Sequence, residues 1–477
     1  MAASIIFLGV NRLSLETEPE RIAAHLRPSF IEGEPWTSPD RVGSYNDCLI
    51  AAMAILRDHE TIELTISAPR IYRLNPPWSV CQGLGRIVLG DRHDGSELDP
   101  EHYVVILYHQ YWAGQRALLS FALSLLDARD YRWLLYGLSY GILLLGVSLL
   151  CLRLARQWPL SRAPRFAADA QKQQIFTDLS ILALLLGFLL FLNLPIVGAS
   201  FDTAPPLIVV FAFVVSSLFV NYAAMSIRLR ALVFASLGAI IAYFELLTGS
   251  IIIGLVVVIV ILSLQRPPQH PSPLPSQRAG ASALSLLLGG VAAYCMGFAV
   301  CVMLKVLIVE LVFHIGMVER FLDLLVYRMT GNARSVMDDP RLLHLFERGD
   351  VAVSALVKRV GAAGARLLGF GSIVLGVVIG GLSVGMIAVT AATAVRHWRR
   401  LYDPVQVTGL LSCPALIAIW YVAFMQHTLQ HPSTMSRCLA PLVAVAAMLA
   451  VAVWLRMPTP FREMRQFLTL RKKISPP

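Results

Sequence analysis

From Tyr131 to the C-terminus the chain is a succession of apolar runs joined by short polar turns, at roughly 132–153, 174–196, 206–225, 231–248, 250–265, 283–313, 364–395, 405–426 and 437–456. No other feature restricts the fold as severely. A helix rises about 1.5 Å per residue, so roughly 20 apolar residues bridge a hydrocarbon core about 30 Å thick. Inside that core no water satisfies backbone amides, and each run must close its own hydrogen bonds as a helix. With 56% hydrophobic and 15% charged residues in 477, the expected fold class is an all-α integral membrane protein. It is a polytopic bundle of about 9–11 spans with interfacial helices and a small extracytoplasmic N-terminal region.

Residues 1–130 are mostly water-compatible. MAASIIFLGVNRL has a short apolar stretch and no preceding basic region, so no cleavable signal peptide is expected; it reads as the end of a first span, either because the true start lies upstream of Met1, the favoured reading, or because the first helix is short. ELTISAPRIYRL and GRIVLGDR read as a strand pair within this region. The rest divides into a first bundle at 131–265, a proline-rich linker at 266–282, a second bundle at 283–456 with a loop at 314–363, and a basic tail at 457–477.

The formal net charge of +10 would suggest nucleic acid in a soluble protein; here it follows the loops, and no nucleic-acid partner is expected. Arg153, Arg156, Arg162, Arg165 and Lys172 follow the run at 132–153. Alternate loops then carry Arg228 and Arg230, Arg266 and Arg278, and Arg396, Arg399 and Arg400. The positive-inside rule puts these in the cytoplasm. Residues 13–130, GASFDTAPP, the turn after FELLTGS, the segment from His314 to Arg359 and HTLQHPSTMSR then face the opposite side. The seven cysteines show no CxxC and read mostly as small packing residues, although Cys48 and Cys81 could pair.

The unusual polar residues converge on that opposite face. Asp47 precedes an apolar helical stretch; His109, Tyr111, Trp112 and Arg116 enter a second one; Asp202 and Glu245 lie near span ends. Lys305 lies inside AYCMGFAVCVMLKVLIVELVF, eight residues before Phe313 and so about 12 Å below the end of its run. An ammonium at that depth marks a functional site or an ion pair, with Glu245 or Glu310 the candidate partners. Asp47 also suits ordinary helix capping. His427 and His431 stand four apart, a spacing that permits zinc, backbone capping, or, with Arg437, contact with a phosphate or sugar.

Several stretches resemble, in order across about 390 residues, those of a family of bacterial polytopic membrane proteins associated with GT-C-type glycosyltransferases. SYNDCLIAAMAI is similar to that family's DN-x-T-D-x-x-M-L stretch, and YHQYWAGQRALLSFALSLLDARDYR to its RYWHGY segment. YFELLTGSIIIGL, AYCMGFAVCVMLKVLI and PALIAIWYVAFMQHTLQHPSTMSR resemble three later stretches, with Glu245 where the family has aspartate. The resemblance implies catalysis at the outer face of a bacterial inner membrane, from a polyprenyl-phosphate sugar donor to a glycan, lipid or protein acceptor. Asp47 would then be the base, and Lys305, Arg328, Arg437, His427 and His431 the phosphate ligands. Tyr111 and Trp112 would stack on sugar or headgroups, and Asp202 and Glu245 orient hydroxyls, with His109 and Arg116 in the same site. No cofactor is specified, and a divalent metal is compatible with the chemistry. A lipid-linked glycan polymerase or ligase, or a flippase of lipid-linked sugars, are the alternatives.

Overall fold

The computed structural model describes residues 2–37, 44–57, 59–73, 80–90, 103–157, 165–244, 249–265, 277–330, 404–424, 436–441 and 445. Among the described residues the protein is mostly helical, at 81%. Four helices among the described residues are long and apolar enough to cross a membrane: Ala128–Gln157, Gln174–Phe191, Ile227–Phe244 and Ala283–Phe313. The runs at 364–395 and most of 437–456, and the segment 331–359, lie outside the described residues.

An N-terminal module precedes the bundle. Its elements are α1 (Ala2–Ser14), α2 (Pro19–Ile31), α3 (Ser44–Ile55), α4 (Thr61–Ile66), β1 (Ala68–Arg73), α5 (Val80–Leu89), β2 (Tyr103–Tyr108) and α6 (Gly114–Ala122). Pro19 opens α2 where its missing N–H costs nothing. Glu60 and Glu63 form a reciprocal capping box at the start of α4. The strand pair is real but its second member differs from expectation. β1 pairs antiparallel with β2, from Ala68 opposite Tyr108 to Arg73 opposite Tyr103, whereas GRIVLG lies in α5 and in the turn that ends it. The reason is periodicity: Val80, Leu84, Ile87 and Val88 recur on one buried helical face. Cys48 of α3 and Cys81 of α5 form a disulfide, so the pairing left open by sequence is made.

The bundle comprises α7 (Ala128–Gln157), α8 (Arg165–Phe191), the single turn α9 (Leu194–Val197), α10 (Ala204–Ser216), α11 (Ile227–Phe244), α12 (Ser250–Leu264), α13 (Gln277–Phe313), α14 (Met317–Thr330) and α15 (Pro404–Ala423). α12 is apolar on every side, and its buried residues run almost without a break from Ile252 to Leu264. Such a helix belongs at the centre, and α8, α10, α11, α13 and α15 all pack on it. The run at 206–225 is not one continuous helix. α10 ends at Ser216 and Tyr222–Ala224 forms a 3-10 turn, leaving 13 residues, or about 20 Å of helix.

α11 and α13 approach backbone to backbone. A Cβ built on Gly238 would collide with the Tyr294 carbonyl, and one on Gly297 with the Ala235 carbonyl. Small residues permit this closeness where no hydrophobic effect drives helices together in lipid. Gly297→Leu is therefore expected to separate the two helices and lower the melting temperature in detergent by several degrees. Gly289→Leu, where a Cβ meets nothing, is the control and should leave it unchanged.

Candidate active site

At the end of the bundle covered by the N-terminal module, two aspartates from distant sequence lie in one hydrogen-bonded cluster. α3 contributes Asp47 and Asn46; the turn before α10 contributes Ser200, Phe201 and Asp202. Asp47 Oδ1 accepts from Ser200 Oγ at 2.7 Å and from the Phe201 amide at 2.8 Å. Its Oδ2 accepts from the Arg132 guanidinium of α7. Asp202 accepts from Asn46 Nδ2 at 2.8 Å and from Gln115 Nε2 of α6 at 3.4 Å. Asp47 is 2% exposed and Asp202 fully buried. Burial at this level requires compensated charge, and Arg132 supplies it for Asp47 while lying over the rings of Trp36 and Phe201. Asp47 is thus no mere helix cap: it bonds a guanidinium and a turn more than 150 residues away in sequence.

Gln115 joins this cluster to a second one, because the same amide donates to the Phe244 carbonyl at the end of α11. The next residue, Arg116, is 1% exposed and donates to the Leu64 carbonyl at 2.7 Å and to that of Ser67 at 3.4 Å. Lys305, fully buried, donates to the Ile66 carbonyl. Both cations therefore sit on the C-terminal carbonyls of α4, the negative end of its dipole. Ile66 also packs with Val306 and Val309 of α13, so the α4 end descends to the level of the lysine. Lys305 lies 5.4 Å from the Trp112 ring as well. Glu310, one suggested partner, accepts instead from the Met317 amide, and Glu245 lies outside the described residues.

The turn between β2 and α6 is held by His109, Tyr111 and Trp112. His109 shares a 2.8 Å hydrogen bond with Ser67 and meets Phe313 edge-on at 4.6 Å. Tyr111 packs against Tyr108. Trp112 donates to the Cys301 carbonyl at 3.1 Å. Asn11 of α1, 1% exposed, donates to the carbonyls of Thr65 and Trp112 and accepts from the Tyr243 hydroxyl. Ala113 completes the turn at φ 55°, in the left-handed region.

Positive charge gathers around α4. Burial, then repulsion from Lys305, Arg320 and His59, pulls His109 down to about 4. Burial and the neighbouring Arg57 bring Arg116 down to about 10, leaving it protonated at neutral pH. None of the three Arg57 guanidinium nitrogens has a hydrogen-bond partner among the described residues, although all are buried. Glu20 offers it only a Coulombic attraction. A neutral His109 has a consequence for stability. Between about pH 6.5 and 4 the unfolded chain takes up a proton that the folded chain excludes, so stability falls as the pH is lowered through that window. His109→Gln is expected to flatten this part of an unfolding-versus-pH curve.

Of the other residues singled out in the sequence, Arg328 lies in α14, and His427 and His431 lie outside the described residues. Arg437 is 4% exposed in a 3-10 turn, Ser436–Leu439. Its neighbour Cys438 contacts the carbonyl of Gly249, the residue that opens α12 at φ 99° and leaves no room for a Cβ beside that sulfur. Among the described residues no cluster of three His, Cys, Asp or Glu is placed to hold a metal. Arg132, Gln115, Ser200, Asn11, Tyr243 and Arg57 are participants that the sequence did not mark. Comparison with family models, curated proteins and solved structures returns no match.

Proposed function

We propose that the protein is a membrane glycosyltransferase that moves a sugar from a polyprenyl-phosphate donor to an extracytoplasmic acceptor. The observation that carries this reading is the meeting of Asp47 and Asp202 in one buried cluster, linked through Gln115 and Arg116 to a concentration of cations. Glycosyl transfer asks for these two things side by side. A carboxylate takes the proton of the acceptor hydroxyl, and positive charge receives the phosphate.

In the step envisaged, the acceptor oxygen bonds to the anomeric carbon while the bond from that carbon to the phosphate oxygen breaks, its electron pair leaving with the lipid phosphate. The proton passes to Asp47. Its Oδ2 is held by Arg132, which itself lines an open cleft, so one side chain separates the carboxylate from a ligand and Arg132 must swing for the base to act. Arg57, with no hydrogen-bond partner among the described residues, and Arg116 and Lys305 are the cations nearest to a phosphate role. The Cys48–Cys81 disulfide, beginning one residue after Asp47, suits an oxidising extracytoplasmic compartment and supports the sidedness read from the loops.

The test uses full-length protein in nanodiscs, a radiolabelled polyprenyl-phosphate sugar and a panel of glycan and lipid acceptors. Label is expected to pass to an acceptor with release of polyprenyl phosphate. Intact donor after long incubation, together with its passage across a sealed vesicle, would instead establish a flippase.

A further inference from the structure

A cavity of about 450 Å³ opens beside the acid cluster, between the start of α7 and the turns at Glu34 and Pro195. Its volume falls within the roughly 300–1,000 Å³ common for small-ligand sites. Arg129, Arg132, Trp133 and Tyr136 form one wall, and Glu34 faces them.

The charges here are already matched. Arg132 bonds Asp47, and Arg129 bonds both Glu32 and Glu34. Two guanidiniums thus meet three carboxylates. A phosphate would add negative charge to a region with no positive charge in excess. A polyol would not, since each hydroxyl can donate to a carboxylate and accept from a guanidinium. The rings supply the other half of such a surface. Trp133, 65% exposed, lies edge-on to Tyr136 at 5.6 Å, and Tyr136 is 4.5 Å from Tyr140. Their spacing puts all three on one stripe of α7. An aromatic belt at the headgroups would account for the stripe, but not for the paired charges on the cavity wall it borders.

We infer that this cleft is a glycosyl subsite, taking one neutral hexose-class unit against Trp133 and Tyr136 and leaving phosphate to the cation-rich region around α4. The inference rests on the glycosyltransferase reading but is testable apart from it. Saturation-transfer NMR with methyl hexopyranosides and methyl 2-acetamidohexopyranosides, on full-length protein in nanodiscs without lipid phosphate, reads binding directly. At least one glycoside is expected to bind. Trp133→Ala and Tyr136→Ala should each weaken it by about 10-fold, Trp133→Phe should retain most of it, and inorganic phosphate should not displace it. Trp133 is exposed enough for its removal to spare the core, and an unchanged melting temperature verifies this. No binding by any glycoside, unchanged binding in both alanine variants, or displacement by phosphate overturns the subsite. Binding that behaves as expected in a protein that transfers no sugar upholds the subsite and discards the glycosyltransferase reading.

Discussion

Asp47→Asn is expected to reduce sugar transfer by about 10²–10⁴-fold, the usual contribution of a positioned general base, with little change in donor affinity. The substitution is nearly isosteric. Asparagine Oδ1 can still accept from Ser200 and from the Phe201 amide, so the turn before α10 should keep its place. What disappears is the carboxylate oxygen opposite Arg132, because the Nδ2 that replaces it is a donor and cannot accept from the guanidinium. That guanidinium is partly exposed and lies over two aromatic rings, so the loss should cost about 1–3 kcal/mol of stability rather than the fold. Initial rates with a polyprenyl-phosphate sugar, set beside a thermal unfolding curve, separate the two effects. Transfer at the wild-type rate would remove Asp47 from the chemistry and leave it as the anchor of Arg132.

The second large effect concerns the disulfide. Cys48 and Cys81 are 33 residues apart, and closing a loop of that length removes chain entropy worth about 4 kcal/mol from the unfolded state. Cys48→Ser with Cys81→Ser is expected to lose stability on that scale. Activity should fall with it, because Asp47 precedes Cys48 on α3. Chemical unfolding of the N-terminal module, followed by near-UV circular dichroism with and without reductant, gives the measurement. Identical midpoints for the oxidised wild type and the double variant would show that packing of α2, α3 and α5 suffices alone.

The helical class and the long spans were legible because a bilayer permits few alternatives: α7, α11 and α13 lie where the apolar runs predict. α10 was not, since hydropathy continues past Ser216 while the backbone turns. α5 was mistaken for a strand because a short apolar segment rich in β-branched residues suits either period. In the site, Asp47, Trp112, Arg116, Asp202 and Lys305 stood out as charged or aromatic groups beside apolar runs. Their partners did not stand out. Arg132 looks like any basic residue at the start of a span, and Ser200 and Gln115 carry no signal until the chain folds. The lysine's acceptor was least legible of all. Of the two carboxylates expected, Glu310 is engaged elsewhere and Glu245 lies outside the described residues; the acceptor seen is a backbone carbonyl, which every residue possesses and no sequence pattern can single out.

That carbonyl belongs to Ile66, which precedes Lys305 by 239 residues. During synthesis at about 5–20 residues per second, the end of α4 waits roughly 10–50 s for the ammonium that completes it. Meanwhile α7 to α12 emerge. The N-terminal module can close its disulfide and β1–β2 pairing early and meet α7, the turn before α10 and α11 as they follow, but its contact with α13 is fastened late. A ribosome stalled before α13 is exported should therefore leave the α4 end open to protease, and release of that stall should protect it.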